Sequence, residues 1–211
     1  METMIILTTT VFVQDKLYIF QNNPEERINT YLTSINKWLN HTEFNILVVD
    51  NSGYTFPEFE ENERFQIISF KEQDLPEAIF LKENKSKGAS ELFSVNYSFN
   101  NCKFKEKSKY IIKITGRYFV PNFKEYLDID LNSFDIICQN GMNRCELIGC
   151  KKNHFDKLFN ISLQQNDQSY CNHIEFLYNE RMNTFDKILI CKQLQIEPTQ
   201  QGGLNQICTY L

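Results

Sequence analysis

Short β-branched apolar runs alternate with stretches of helical spacing along the first 120 residues. Met4 to Val13 is largely apolar and predicts a first strand. Asn22-Asn23-Pro24-Glu25-Glu26 then marks a helix start, with an Asn cap, a proline in the first turn and acids at the positive end of the dipole. Ile28, Tyr31, Leu32, Ile35, Trp38 and Leu39 follow at helical spacing and form its core stripe. Phe44–Val49 predicts a second strand and Phe65–Phe70 a third. Gly88-Ala89-Ser90-Glu91 opens another helix with Leu92, Val95 and Phe99 inward, and Lys109–Thr115 is a fourth strand. Strands alternating with helices predict an α/β fold with a mixed, mostly parallel sheet and helices on both faces. Such sheets bind ligands beyond the carboxyl ends of their strands, so the turns after Val13, Val49, Phe70 and Ile114 come first.

Beyond Val120 the pattern changes. A short helix is expected over Asn122–Leu127, strands over Phe134–Cys138 and Glu146–Cys150, a helix from about Asp167 to Arg181, and a last strand over Lys187–Leu194. The tail from Pro198, rich in Gln and Gly, reads as a loop. No repeat or low-complexity linker interrupts the 211 residues, so one domain over 1–211 is expected.

Composition narrows the function classes. Hydrophobic residues make up 42%, enough for a sizeable core. The net charge of -5 disfavours a nucleic-acid binder, which would carry a basic stripe; Lys82, Lys85 and Lys87 form only a local cluster. Seven cysteines, odd in number and without a CxxC pair, read as reduced thiols. A zinc site from Cys145, Cys150, Cys171 and His173 fits no familiar spacing. The amino terminus lacks a basic region and a small-residue cleavage site, and no run approaches membrane-span length, so a cytoplasmic protein without a transmembrane segment is expected.

Three stretches carry candidate chemistry. ILVVDNSG places Asp50 at the end of an apolar strand, where a carboxylate can accept from a base or ribose; equally, Asp50-Asn51-Ser52-Gly53 is ordinary turn chemistry. NKSKGASEL combines Lys85, Lys87 and Gly88 with a helix start, which suits a phosphate, although an exposed polar loop reads the same way. KITGRYFV ends a strand at Thr115-Gly116-Arg117, where Arg117 can grip a phosphate or carboxylate with two bonds or can pair with an acid between Glu125 and Asp130.

Together these stretches resemble the compact GT-A glycosyltransferases, enzymes of bacterial surface-polysaccharide clusters and large DNA viruses, over roughly residues 1 to 180. The resemblance implies a GT-A-like single domain, with a nucleotide-sugar-binding half over 1–120 and an acceptor-side half over 121–211. It implies a hexosyl- or deoxyhexosyltransferase using a nucleotide-diphosphate sugar such as a UDP-sugar, with a glycan or glycoprotein acceptor and no nucleic acid. By position, Asp50 would contact the nucleoside beside the backbone of Thr8 to Thr10, and Lys87 and Gly88 would lie near the donor. Thr115, Gly116 and Arg117 would occupy the place where many of these enzymes hold Mn²⁺ or Mg²⁺ on an Asp-x-Asp motif. This chain departs from the pattern there, because Thr115-Gly116-Arg117 has no carboxylate and the single DxD, Asp128-Ile129-Asp130, falls after the short helix. The resemblance still implies a divalent cation, with His173 or Asp74 as alternative ligands; the residues themselves favour Arg117 and lysines neutralising the diphosphate. Glu146 and Glu175 are the candidates for the catalytic base of an inverting transfer. Glu146 as a solvent-facing strand residue and Glu175 paired with Arg181 or Lys187 are the alternatives. A nucleotidyltransferase would want a glycine-rich loop where Thr8-Thr9-Thr10-Val11-Phe12 stands, and an inactive nucleotide-sugar-binding module is the third reading.

Overall fold

The computed structural model describes residues 2–211 except 14, 15, 18, 83, 128–130, 142, 143 and 162–173. Its centre is a seven-stranded sheet in the order β3-β2-β1-β4-β6-β5-β7. The strands are β1 (Thr3–Thr9), β2 (Asn45–Asp50), β3 (Phe65–Ser69), β4 (Tyr110–Thr115), β5 (Ile136–Gln139), β6 (Leu147–Lys151) and β7 (Ile188–Cys191). β1 pairs in parallel with β2 and β4, β2 with β3, and β5 with β7, while β6 runs antiparallel to β4 and β5. The expected mixed, mostly parallel α/β sheet is therefore present.

Both faces are covered. Ile5, Leu7, Ile46 and Val48 meet α1 (Pro24–His41) through Tyr31, Ile35 and Trp38. Met4, Ile6, Leu47 and Val49 point the other way, onto α2 (Lys87–Asn101), α4 (Phe155–Phe159) and α5 (Ile174–Met182). Alternate residues of a doubly covered strand are both apolar, which is why β1 and β2 read as continuous runs. The α1 cap is as expected: the Asn23 side chain accepts from the Glu25 and Glu26 amides at 2.9 and 3.3 Å.

Three features depart from expectation. β1 ends at Thr9 and not at Val13, because the Val11 amide donates to the Asp50 and Ser52 side chains instead of to a neighbouring strand. The tail is not a loop: β8 (Gln195–Gln200) and β9 (Ile207–Tyr210) form an antiparallel hairpin. Ile196, Cys208 and Leu211 anchor it in the α1-side core, and the ladder is irregular between Gln195 and Thr199, where Pro198 has no amide to donate. The helix α4 follows β6 without having been expected. The short helix α3 (Phe123–Leu127) matches its expectation, whereas the start of the helix expected from Asp167 lies outside the described residues.

All six described cysteines are free and buried. Burial raises the Cys138 thiol to about 11 and the Cys191 thiol to about 12. Each therefore stays protonated in the fold while its unfolded counterpart ionises at about 8.5, so stability falls as pH rises from there towards the folded values, by roughly 1.4 kcal/mol per thiol per pH unit. The thermal midpoint in reductant should drop steeply between about pH 8.5 and 10.5; a flat profile would contradict this.

Candidate functional site

The parallel strands end at one edge, and a cavity of about 450 Å³ opens there. Its floor is Thr8, Thr9, Thr10 and Thr115; one wall is Lys87, Gly88, Ser90 and Glu91 of α2. The opposite wall is Arg27 and Tyr31 of α1, Arg117, and Gln201–Leu204 of the β8–β9 turn, while Glu146 and Glu175 close the end. A strap crosses between the walls: the Leu17 amide donates to the Lys85 carbonyl at 3.1 Å and the Phe20 amide to the Gly202 carbonyl at 2.9 Å. Lys16 pins the strap to Glu72 at 3.0 Å, and Glu72 accepts from Asn51 at 2.6 Å.

Of the sequence-derived site residues, Thr8, Thr10, Lys87, Gly88, Thr115, Arg117, Glu146 and Glu175 all line this cavity. Asp50 and Gly116 do not. Asp50 is fully buried beneath the floor, so turn chemistry is what the structure gives it. Its Oδ1 accepts from the Ser52 amide (2.8 Å), the Ser52 hydroxyl (2.6 Å) and the Tyr54 amide (3.1 Å), and its Oδ2 from the Thr9 hydroxyl (3.0 Å) and the Val11 amide (3.1 Å). With its lone pairs spent on the turn, the carboxylate has none to offer a nucleoside. Gly116 is a close-approach glycine: a Cβ would lie 2.7 Å from Thr9 Cγ2 and 2.8 Å from the Thr8 carbonyl oxygen. Gly88 likewise seats α2 against Ile174 of α5.

The cationic wall is the unusual feature. Arg117 is 6% exposed and donates from Nη1 to Gln21 Oε1 at 2.8 Å and to the Gln200 carbonyl at 3.0 Å. Arg27, outside the three sequence motifs, is 5% exposed and donates to the Thr10 carbonyl (2.6 Å), the Gln21 carbonyl (2.7 Å) and the Tyr31 hydroxyl (2.8 Å). Both guanidinium carbons lie over the same Tyr31 ring, at 5.6 and 5.8 Å from its centre. Among the described residues neither forms an ion pair. Burial lowers the Arg27 pKa and the Arg117 charge lowers it further, against the opposing pull of Tyr31 and Asp50. The alternative role of Arg117, pairing with an acid between Glu125 and Asp130, is not seen among the described residues, where neutral carbonyl oxygens accept from it.

The other pole is anionic. Glu91 Oε1 accepts from Lys113 Nζ at 2.7 Å and from the Thr8 hydroxyl at 2.7 Å. Lys113 is wholly buried; burial alone would discharge it, but the Glu91 carboxylate outweighs that and holds its pKa raised. Glu146 is not a solvent-facing strand residue. It contacts Arg144 at 3.4 Å through Oε1, while its Oε2 is buried without a hydrogen-bond partner among the described residues. The pairing of Glu175 with Arg181 is not formed, because Arg181 donates to the Leu158 carbonyl instead.

A divalent cation does not fit the donor set at the end of β4, which presents a hydroxyl, a glycine and a guanidinium. No group of three or more His, Cys, Asp or Glu among the described residues is arranged to hold a metal, and Asp74 lies outside the cavity. His173, Cys171 and Asp128–Asp130 lie outside the described residues. No described helix is long and apolar enough to cross a membrane.

The sequence matches no protein-family model and no curated protein. Among solved structures, the fold is similar to that of a protein assigned as a nucleotide-diphospho-sugar transferase from Desulfovibrio desulfuricans G20, with a TM-score of 0.53 and 11% identity over 90% of this chain and 80% of that one. An active-site mutant of LgtC matches with a TM-score of 0.49 and 8% identity over 89% of this chain and 72% of that one. A cytidylyltransferase from Leptospira borgpetersenii matches with a TM-score of 0.47 and 11% identity over 99% and 82% of the two chains. The last two likenesses are too distant to argue from, and the first bears on architecture alone. With its sheet order, doubly covered strands and edge cavity, the chain has the GT-A-like α/β fold.

Proposed function

We propose that the protein is a glycosyltransferase that binds the diphosphate of a nucleotide sugar between Arg27 and Arg117. The single observation that carries this reading is a pair of buried guanidiniums, without carboxylate partners among the described residues, on the wall of the sheet-edge cavity. Two desolvated like charges side by side cost free energy, and an anion with several acceptor oxygens relieves both. A diphosphate fits because each guanidinium can engage its oxygens. On leaving, the nucleoside diphosphate gains charge at the oxygen that bonded the sugar, and the arginines stabilise it there.

The acceptor, a glycan or glycoprotein, enters from the Glu146 and Glu175 end. One of these carboxylates takes the proton of the attacking hydroxyl. Separate Glu146→Gln and Glu175→Gln variants distinguish them: one should retain donor binding and lose transfer by roughly a hundredfold or more. Retained transfer in both would remove the base from this pair. A nucleotidyltransferase is the second reading, since the fold can host both chemistries, but Thr8–Thr10 supply no glycine-rich loop for a triphosphate.

Thermal shift with UDP-, GDP- and dTDP-sugars, in Mn²⁺ and in EDTA, tests the reading, with CMP-sugars, which carry one phosphate, as the contrast. Stabilisation by one of the diphosphate families that survives EDTA is expected, and stabilisation by CMP-sugars alone would contradict it. No stabilisation by any of them would overturn the assignment.

A further inference from the structure

Resting on that reading, we infer that Glu91, held in place by Lys113, is the residue that distinguishes a sugar-bearing donor from the bare nucleoside diphosphate. A lysine stands where the sheet should be apolar. Lys113 sits in β4, which is buried on both faces, and is wholly buried itself. A cation there needs an anion, and Glu91 from α2 supplies it at 2.7 Å, while the Cys145 carbonyl accepts at 2.7 Å and the Thr115 hydroxyl lies at 3.3 Å. The Thr8 hydroxyl bonds the same Glu91 oxygen at 2.7 Å, and the Thr115 hydroxyl approaches it at 3.5 Å. Three groups thus engage or approach Oε1, while Oε2 has no hydrogen bond to any described residue and the side chain lines the cavity.

The edge of β1 links the two poles. The Thr8 hydroxyl binds Glu91 from one wall and, two residues on, the carbonyl of Thr10 binds Arg27 from the other. Carboxylate and guanidinium thus face one cavity from opposite walls, as a sugar and the diphosphate that carries it require.

The chemistry of the pair then selects the ligand. Lys113 already compensates the Glu91 charge, so the open oxygen has no call for a cation. It is an oriented acceptor suited to neutral hydroxyls, and bonds to a charged acceptor are the stronger kind. The base role stays with Glu146 or Glu175, which close the end of the cavity. Lys113 is accordingly a positioning residue, and Glu91 the one that touches sugar.

The test is calorimetric titration of the full chain with UDP and UDP-glucose, GDP and GDP-mannose, and dTDP and dTDP-glucose. Wild type should bind one sugar nucleotide roughly tenfold or more tighter than its parent diphosphate, the factor expected of a hydrogen bond to a charged group. Glu91→Leu combined with Lys113→Met replaces the buried pair by apolar groups of similar size and should fold. It should keep the affinity for the parent diphosphate within about threefold and bring the preference for the sugar down to about one. Lys113→Met alone should lower the preference without abolishing diphosphate binding. A preference surviving in the double variant, or absent from wild type that binds the diphosphate, would overturn the Glu91 assignment and leave the arginine site standing. Wild type binding none of the six would overturn both.

Discussion

Arg117→Met is expected to remove sugar-nucleotide binding while the fold stands. Arg117 makes two hydrogen bonds, to Gln21 and Gln200, each worth about 1 kcal/mol net. Against that loss stands a desolvated cation facing another, for which a buried charge costs several kcal/mol. Removing the charge should therefore leave the thermal midpoint of the ligand-free protein at or above the wild-type value. The effect on binding has the opposite sign: truncating one partner of a buried charged contact costs about 2–5 kcal/mol, at least about thirtyfold in affinity. Arg27→Met should weaken binding similarly but also destabilise, because its three hydrogen bonds tie α1 to Thr10, Gln21 and Tyr31. Donor affinity unchanged in a folded Arg117→Met protein would sink the assignment.

Asp50→Asn should destabilise the fold strongly rather than merely weaken a ligand. The carboxylate is fully buried and accepts five hydrogen bonds, from Thr9, Val11, Ser52 and Tyr54. An amide replaces one acceptor oxygen with a donor that faces other donors. Breaking such an arrangement costs about 3–5 kcal/mol, a large part of the roughly 5–15 kcal/mol that holds a domain together. Chemical denaturation should show a midpoint lowered accordingly. A variant of wild-type stability that binds nucleotide less well would instead make Asp50 a ligand contact.

How much of this could be read from the chain depends on the range of the interactions. The strands β1 to β4 and helices α1 and α2 are legible because doubly buried strands and amphipathic helices leave period-based signatures. The cavity wall formed by the tail is not. Gly202 meets Arg117 from far along the chain, and a Cβ on Gly202 would stand 2.5 Å from Arg117 Nη2. Nothing local in Gln200-Gln201-Gly202-Gly203 announces that partner, and Pro198 argues against a strand.

Two residues left signals that pattern reading can miss. Arg27 continues the spacing of Tyr31, Ser34 and Trp38, so an arginine occupies the buried face of α1. Lys113 interrupts Tyr110-Ile111-Ile112 and Ile114 within a strand buried on both faces. A charge inside an apolar pattern demands charged or hydrogen-bonding partners, and here both charges find theirs at the cavity. Asp50 teaches the reverse: an acid at a strand end, followed by Asn-Ser-Gly, serves the turn itself.

The most direct measurement is a crystal structure of the full chain with the sugar nucleotide that stabilises it, grown in EDTA. The account predicts the diphosphate between the guanidiniums, with at least one oxygen within hydrogen-bond distance of each, and the sugar turned towards Glu91. A diphosphate seated elsewhere in the cavity, with Arg27 and Arg117 still bonded only to Gln21, Gln200, Thr10 and Tyr31, would contradict it.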